Sequence, residues 1–149
     1  MKDRLFVYGS LMGGIQTPIA QLLRTHSNFL GEAFVSGTLY DLGRYPGLVY
    51  QKHQAPQVTG HLFEIKDIQL VFPALDEYEG VDGDNPDRNG AEYRRAIIEV
   101  KHQNVVLPSW AYLYNLPTED LKVIKSGNYL EYLQKNRDYQ HFVNQTKEY

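Results

Sequence analysis

The sequence predicts an α+β domain: strands occupy the middle of the chain and helices flank them. Three observations point there. Short apolar and aromatic runs bounded by turn residues fill two blocks, 33–65 and 93–114. Two strands of the first block carry an internal glycine, Gly37 and Gly60. In a strand that marks a bulge, a bend or a close backbone approach, as expected of strands that curl into a small barrel. Helical spacing appears before, between and after these blocks.

The elements follow in order. Arg4 to Tyr8 is a short apolar run that stops at Gly9 and reads as a buried strand. A glycine-punctuated loop, Gly9-Ser10-Leu11-Met12-Gly13-Gly14, comes next. Thr17-Pro18 reads as an N-cap followed by proline at the first helical position, and Ile19, Leu22, Leu23 and His26 recur at helical spacing. Phe34–Tyr40, Gly47–Tyr50 and Gln57–Ile65 read as strands. From Asp67 to Tyr78 helical spacing returns through Ile68, Val71, Leu75 and Tyr78. Pro73 interrupts that pattern, which predicts a short turn before it and a helical segment starting at it; Gly80 ends the segment. Val81 to Gly90 is a surface loop by composition. Tyr93–Val100 and Val105–Tyr114 read as a hairpin across Lys101 to Asn104, and from Thr118 the chain reads as mostly helical and polar. There is no internal repeat or linker, so residues 1–149 form a single domain with a polar helical tail from about 134.

Composition narrows the function. Hydrophobic residues make up 42% and charged residues 22%, ordinary for a globular protein. There is no cysteine, which excludes disulfides, thiolate catalysis and cysteine metal sites. The net charge of -3 and the scattered Lys and Arg give no nucleic-acid footprint. No apolar run approaches the ~20 residues that span a bilayer, and the opening Met1-Lys2-Asp3-Arg4 is not followed by a signal-peptide region. The expectation is a cytoplasmic protein with no nucleic-acid or membrane partner. The 12 tyrosines are numerous and suit half-buried strand faces, with a few available to line a polar pocket.

Chemistry-bearing patterns are few. His26, His53, His61, His102 and His141 are not paired at ligand spacing, and no H-E-x-x-H occurs, so no metal site is expected. There is no G-x-S-x-G elbow, and Tyr8-Gly9-Ser10-Leu11 lacks the ending of a phosphate loop. Two segments stand out. The strand Phe6-Val7-Tyr8 runs into the turn Gly9-Ser10-Leu11, and consecutive backbone N–H groups at such a turn can form an anion-binding nest. Leu75-Asp76-Glu77-Tyr78-Glu79-Gly80 crowds three acids into a helix end, where the macrodipole disfavours negative charge. Taken alone, a strand end and a solvated acidic helix end are the simpler readings.

Together and in order, these segments resemble the γ-glutamylcyclotransferase-like, or AIG2-like, family, which includes γ-glutamylamine cyclotransferases. The resemblance runs from Leu5 to about Leu133. Its further carriers are Glu92-Tyr93-Arg94-Arg95, Trp110-Ala111-Tyr112-Leu113-Tyr114 and Ile124-Lys125-Ser126-Gly127-Asn128-Tyr129. It implies a small mixed β-barrel with flanking helices. It implies a reaction without cofactor, in which the α-amine of a γ-glutamyl group attacks its own δ-carbonyl to give 5-oxoproline and a free amine. It implies substrate held at Tyr8, Gly9, Ser10 and Leu11, and Glu79, not Asp76 or Glu77, as the catalytic carboxylate. Tyr114 is a further candidate for a pocket hydroxyl. The long 81–91 loop and Pro73 depart from the pattern, and the loop puts the leaving-group specificity in doubt.

A glutamate titrating near ~4.3 is a poor base for an ammonium; burial raises that value, and Phe72, Leu75, Tyr78 and the tyrosine-rich strands are the candidate walls. The expected partner is a small-molecule γ-glutamyl substrate, and the expected state a monomer or weak homodimer. The alternatives are a non-catalytic binding module for a γ-glutamyl or carboxylate compound, a hydrolase on the same fold, and a structural protein with no ligand.

Overall fold

The computed structural model describes residues 3–9, 11–12 and 17–146, with side chains through residue 137. It contains β1 (Arg4–Val7), α1 (Pro18–Thr25), β2 (Ser27–Asp41), β3 (Pro46–Tyr50), β4 (Pro56–Ile65), α2 (Ile68–Glu79), β5 (Tyr93–His102), β6 (Val105–Tyr114), β7 (Lys122–Val123) and α3 (Tyr129–Thr146).

Five strands close a mixed barrel. Around it, β2 pairs with β4, β4 with β1, β1 with β6, β6 with β5, and β5 returns to β2 at Phe34↔Lys101. The β1–β6 contact is parallel and the others are antiparallel. Being central and covered on both faces, β1 is apolar throughout its inner residues, and Leu5, Phe6 and Val7 are buried. The far half of β2, residues 37–41, leaves the barrel to pair with β3 and β7.

One strand serving both the barrel and this extension must bend. The β2–β4 register shifts between Phe29 and Gly31 and again between Val35 and Ser36. Across from Ala33 stands Gly60, where a Cβ would collide with the Val7 carbonyl and the Phe6 ring. That close approach is the physical content of the glycine inside the strand.

Local chemistry sets most element ends. Thr17 accepts from the Ala20 N–H at 3.2 Å, with Pro18 opening α1. The β5–β6 hairpin turns on Gln103 and Asn104, both with positive φ, the two-residue turn that matches strand twist. The strands run to His102, so the turn is tighter than the predicted four residues. From Thr118 the chain is mostly helical as expected, through α3, with turns and the short β7 before it. Two expectations fail. β2 begins at Ser27, not Phe34. And α2 is one continuous helix through Pro73, not a turn followed by a helix. Asp67 caps it, accepting from Leu70 N–H at 3.1 Å, and Val71, Phe72 and Leu75 bury its inner face. That anchoring on both sides of Pro73 offsets the missing backbone donor.

Substituting Gly60→Ala is expected to destabilise the protein by about 1–3 kcal/mol, the usual cost of overpacking, with urea unfolding as the measurement.

Candidate active site

The described residues enclose a cavity of about 330 Å³, within the range of small-molecule sites. It lies at the end of the barrel where β1 and β6 finish and β5 begins. Tyr8 and Gly9 reach it from the end of β1, Leu11 from the following turn, and Tyr112 from β6. Tyr45 and Pro46 enter from the start of β3, Glu92 and Tyr93 from the start of β5, and Tyr78 and Glu79 from the last turn of α2.

Tyrosine hydroxyls tie these elements together. Tyr8 donates to the Tyr112 carbonyl at 2.5 Å and accepts from the Leu48 N–H at 3.2 Å, joining β1, β6 and β3. Tyr93 donates to the Pro46 carbonyl at 2.7 Å. Pro46 in turn packs against Gly9, where a Cβ would lie 2.9 Å from the proline ring. The Met12 N–H donates to the Gly9 carbonyl at 3.0 Å and closes the turn. Arg24 from α1 donates to the Met12 carbonyl at 3.2 Å. Ser10 lies outside the described residues. Burial pushes the Tyr8, Tyr93 and Tyr112 hydroxyls up, so they stay protonated donors.

The three acids at the end of α2 have three different surroundings. Asp76 is 5% exposed and takes a bidentate ion pair from Arg95, 2.8 Å at Nε and 3.2 Å at Nη2. It also accepts from the Tyr112 hydroxyl at 2.7 Å. The Arg95 guanidinium lies 4.5 Å from the Trp110 ring centre and 5.1 Å from that of Phe72. Glu77 is exposed. Glu79, one helical turn beyond Asp76, is half-buried at the cavity. Gly80 in the left-handed region ends the helix there, its N–H directed back to the Asp76 and Glu77 carbonyls. Burial, and after it the negative charge of Glu92, pushes the Glu79 carboxyl up to about 7.

The structure therefore brings Tyr8, Gly9, Leu11 and Glu79 to one cavity. Tyr114 is not among the residues that line it. It packs edge-on against Tyr93, ring centres 6.0 Å apart, and its side chain fills the space that a Cβ on Gly47 would need. The hydroxyl-bearing β6 residue at the cavity is Tyr112, on the same strand face one pair earlier. Of the expected walls for Glu79, Tyr78 lines the cavity; Leu75 is in the core and Phe72 packs on Trp110. Tyr45, Glu92, Tyr93 and Tyr112 carry no signal of a site in the sequence alone, although the last three sit inside segments that carry the family resemblance. Among the described residues, no group of three or more His, Cys, Asp or Glu is placed to hold a metal ion. No helix among them is long and apolar enough to cross a membrane.

A small mixed barrel with one perturbed carboxylate in a tyrosine-walled cavity defines the class, and comparison with known proteins gives the family. Residues 5–131 match the family model described as "Gamma-glutamyl cyclotransferase, AIG2-like". The chain belongs to this family. It is 32% identical over 132 residues to the γ-glutamylcyclotransferase family protein ytfP of Citrobacter rodentium, covering 86% of this chain and 96% of the relative. The solution structure of ytfP from Escherichia coli, 30% identical, superposes with a TM-score of 0.56 over 85% of this chain and 96% of its own. The crystal structure of an AIG2-like protein from Mus musculus, 21% identical, shares the fold with a TM-score of 0.61 over 84% of this chain and 87% of its own.

The sorting of the acids is testable. Removing one partner of a buried ion pair leaves the other uncompensated, so Asp76→Ala is expected to cost about 3–5 kcal/mol. Glu77→Ala, at an exposed position, is expected to stay within about 0.5 kcal/mol. Denaturant unfolding of both variants reads the difference.

Proposed function

We propose that this protein converts a γ-glutamyl amide or γ-glutamyl amine to 5-oxoproline and a free amine, in the cytoplasm and without cofactor, with Glu79 as the proton shuttle. The observation that carries the reading is the Glu79 carboxyl, held at the cavity with a proton affinity near neutrality. Family membership supports the reaction class.

The chemistry needs three things. The glutamyl chain must fold so that its amine meets its own δ-carbonyl; well-oriented intramolecular attack is worth effective molarities of order 10⁵–10⁸ M. A tyrosine-walled cavity of about 330 Å³ suits that folded conformer. Next, the substrate ammonium must lose a proton, because only the neutral amine is nucleophilic. Glu79 accepts it, and an acceptor near neutrality is well matched to working pH. The new C–N bond forms as the amine attacks, and the same proton passes from Glu79 to the departing nitrogen as the amide C–N bond breaks. The second proton, which the attacking nitrogen sheds in becoming the lactam N–H, passes by the same carboxylate to the released amine, which leaves as an ammonium. The turn at Gly9, Ser10 and Leu11 is the binding region for the substrate α-carboxylate or the developing oxyanion.

Other donors in the cavity are already engaged. Tyr8, Tyr93, Tyr112 and Tyr45 each give their proton to a protein acceptor. This favours Glu79 over a tyrosine as the group that moves protons.

Glu79→Gln is expected to fold and to lose about 10²–10⁴-fold in lactam formation, the usual worth of a general acid–base. The same variant should be more stable than the wild type at pH 8. Because folding raises the Glu79 pKa from 4.5 to about 7, the native state binds the proton more tightly. Its contribution to stability is full below about pH 4.5 and is lost as pH rises through 7, so the gap between the proteins closes on acidification. Full activity of the Gln variant on a γ-glutamyl substrate overturns the assignment. Release of free glutamate in place of 5-oxoproline makes the enzyme a hydrolase, and binding without turnover makes it a binding module.

The acidic limb of the pH profile follows from the same group. Since the working base is ionised, kcat/KM is expected to rise with pH through an apparent pKa near 7. Steady-state rates from pH 5 to 9 measure it.

A further inference from the structure

The cavity carries a second carboxylate that transfers no proton in the reaction above. Glu92 lines it together with Glu79, but is exposed at the rim where Glu79 is half-buried. Its position is fixed. The Tyr45 hydroxyl donates to Glu92 Oε1 at 2.8 Å, and the Asn115 N–H donates to the Glu92 carbonyl at 2.8 Å. The neighbouring pair is tied in the opposite sense, Tyr93 donating to the Pro46 carbonyl at 2.7 Å. Two adjacent dipeptides, Tyr45-Pro46 and Glu92-Tyr93, are thus stitched by reciprocal hydroxyls. The bond to Glu92 also raises the Tyr45 pKa, so that this donor stays protonated.

Among the described residues, no Lys, Arg or His forms an ion pair with this carboxylate. None of the described residues lining the cavity is Lys, Arg or His, and the sequence from Ser10 to Gln16 contains none either. The arginines that follow Glu92 are engaged elsewhere, Arg94 with Asp87 at 3.3 Å and Arg95 with Asp76 at 2.8 Å. In the reaction above, the substrate α-ammonium is matched by Glu79 and the α-carboxylate by the turn after β1. Those two account for the charges of the γ-glutamyl part. Glu92 is left over, at the open rim toward which anything attached beyond the reacting bond must extend.

We propose that Glu92, oriented by Tyr45, is a specificity residue that reads a second ammonium group on the leaving amine, so that diamine-type γ-glutamyl derivatives are preferred and leaving groups bearing a carboxylate are rejected. This rests on the cyclotransferase reading of the same cavity. Rejection matters as much as attraction, because a like charge against a fixed carboxylate is a direct penalty on the wrong substrate.

The test uses three γ-glutamyl amides of matched length, made from 1,4-diaminobutane, butylamine and 4-aminobutyrate, which carry a cation, no charge and an anion. The wild type is expected to prefer each over the next by about fivefold in kcat/KM, the scale of a rim charge pair. Glu92→Gln, which keeps an oxygen for Tyr45, should compress the cation-to-anion ratio about fivefold, the rate on the neutral amide serving as the reference that absorbs any change at Glu79. Calorimetric binding of the three compounds to Glu79→Gln, with and without Glu92→Gln, reads the same order without turnover. A wild-type ratio below about twofold, or a ratio unchanged in Glu92→Gln, overturns the proposal. If no compound yields 5-oxoproline but binding keeps the charge order, the cyclotransferase reading falls and the charge reading stands. If none binds, both fall.

Discussion

The Asp76–Arg95 pair holds the last turn of α2 against the barrel, and the geometry of the cavity follows from it. A carboxylate 5% exposed at a helix C-terminus faces two penalties, desolvation and the macrodipole. Arg95 on β5 answers both with a planar fork, and Tyr112 on β6 adds a third hydrogen bond. The rings of Phe72 and Trp110 both pack against the guanidinium and keep it in register. The main chain of the same residue is fixed as well, its carbonyl accepting from Val81 N–H at 2.7 Å. One residue therefore fixes both the helix end and its distance from two strands, and Glu79 comes along one turn later.

The two acids do opposite work because their surroundings differ. Asp76 is matched by a cation in ideal geometry. Glu79 has no ion-pair or hydrogen-bond partner among the described residues; it faces apolar and tyrosine walls and the charge of Glu92. Lack of compensation makes ionised Glu79 costly, and that cost is what moves its proton affinity toward neutrality. The rigidity supplied by the first acid is the condition for leaving the second uncompensated. A helix end free to fray would let Glu79 turn out to solvent and titrate as an ordinary surface glutamate.

Much of this was legible locally. Thr17-Pro18, Gly80 and the two apolar runs around Gln103-Asn104 are short-range signals, and short-range chemistry decides where elements begin and end. The sequence order of motifs also isolated Glu79 from its acidic neighbours. What stayed illegible is non-local. Tyr112 and Tyr114 share a strand face, and nothing in the local pattern tells which one stands at the cavity and which has passed behind Tyr93. Tyr45 becomes part of the site only because β3 is laid against the start of β5 by the Tyr93–Pro46 bond. Continuity of α2 through Pro73 likewise depends on tertiary burial of Val71, Phe72 and Leu75, which propensity does not contain.

The abundance of tyrosine acquires a physical reason in this frame. A small barrel with a cavity at its end must leave polar backbone unpaired where strands diverge, since the space that admits a ligand also separates the ladder partners. A tyrosine spans that gap: its ring supplies apolar wall and its hydroxyl reaches the stranded carbonyl on the far side, as Tyr8 does for Tyr112 and Tyr93 for Pro46. Each such bond consumes the proton of the hydroxyl that makes it. The hydroxyls of the wall that holds the cavity open are thereby committed to structure, and the group left with a proton affinity near neutrality is Glu79, which the same wall deprives of solvent.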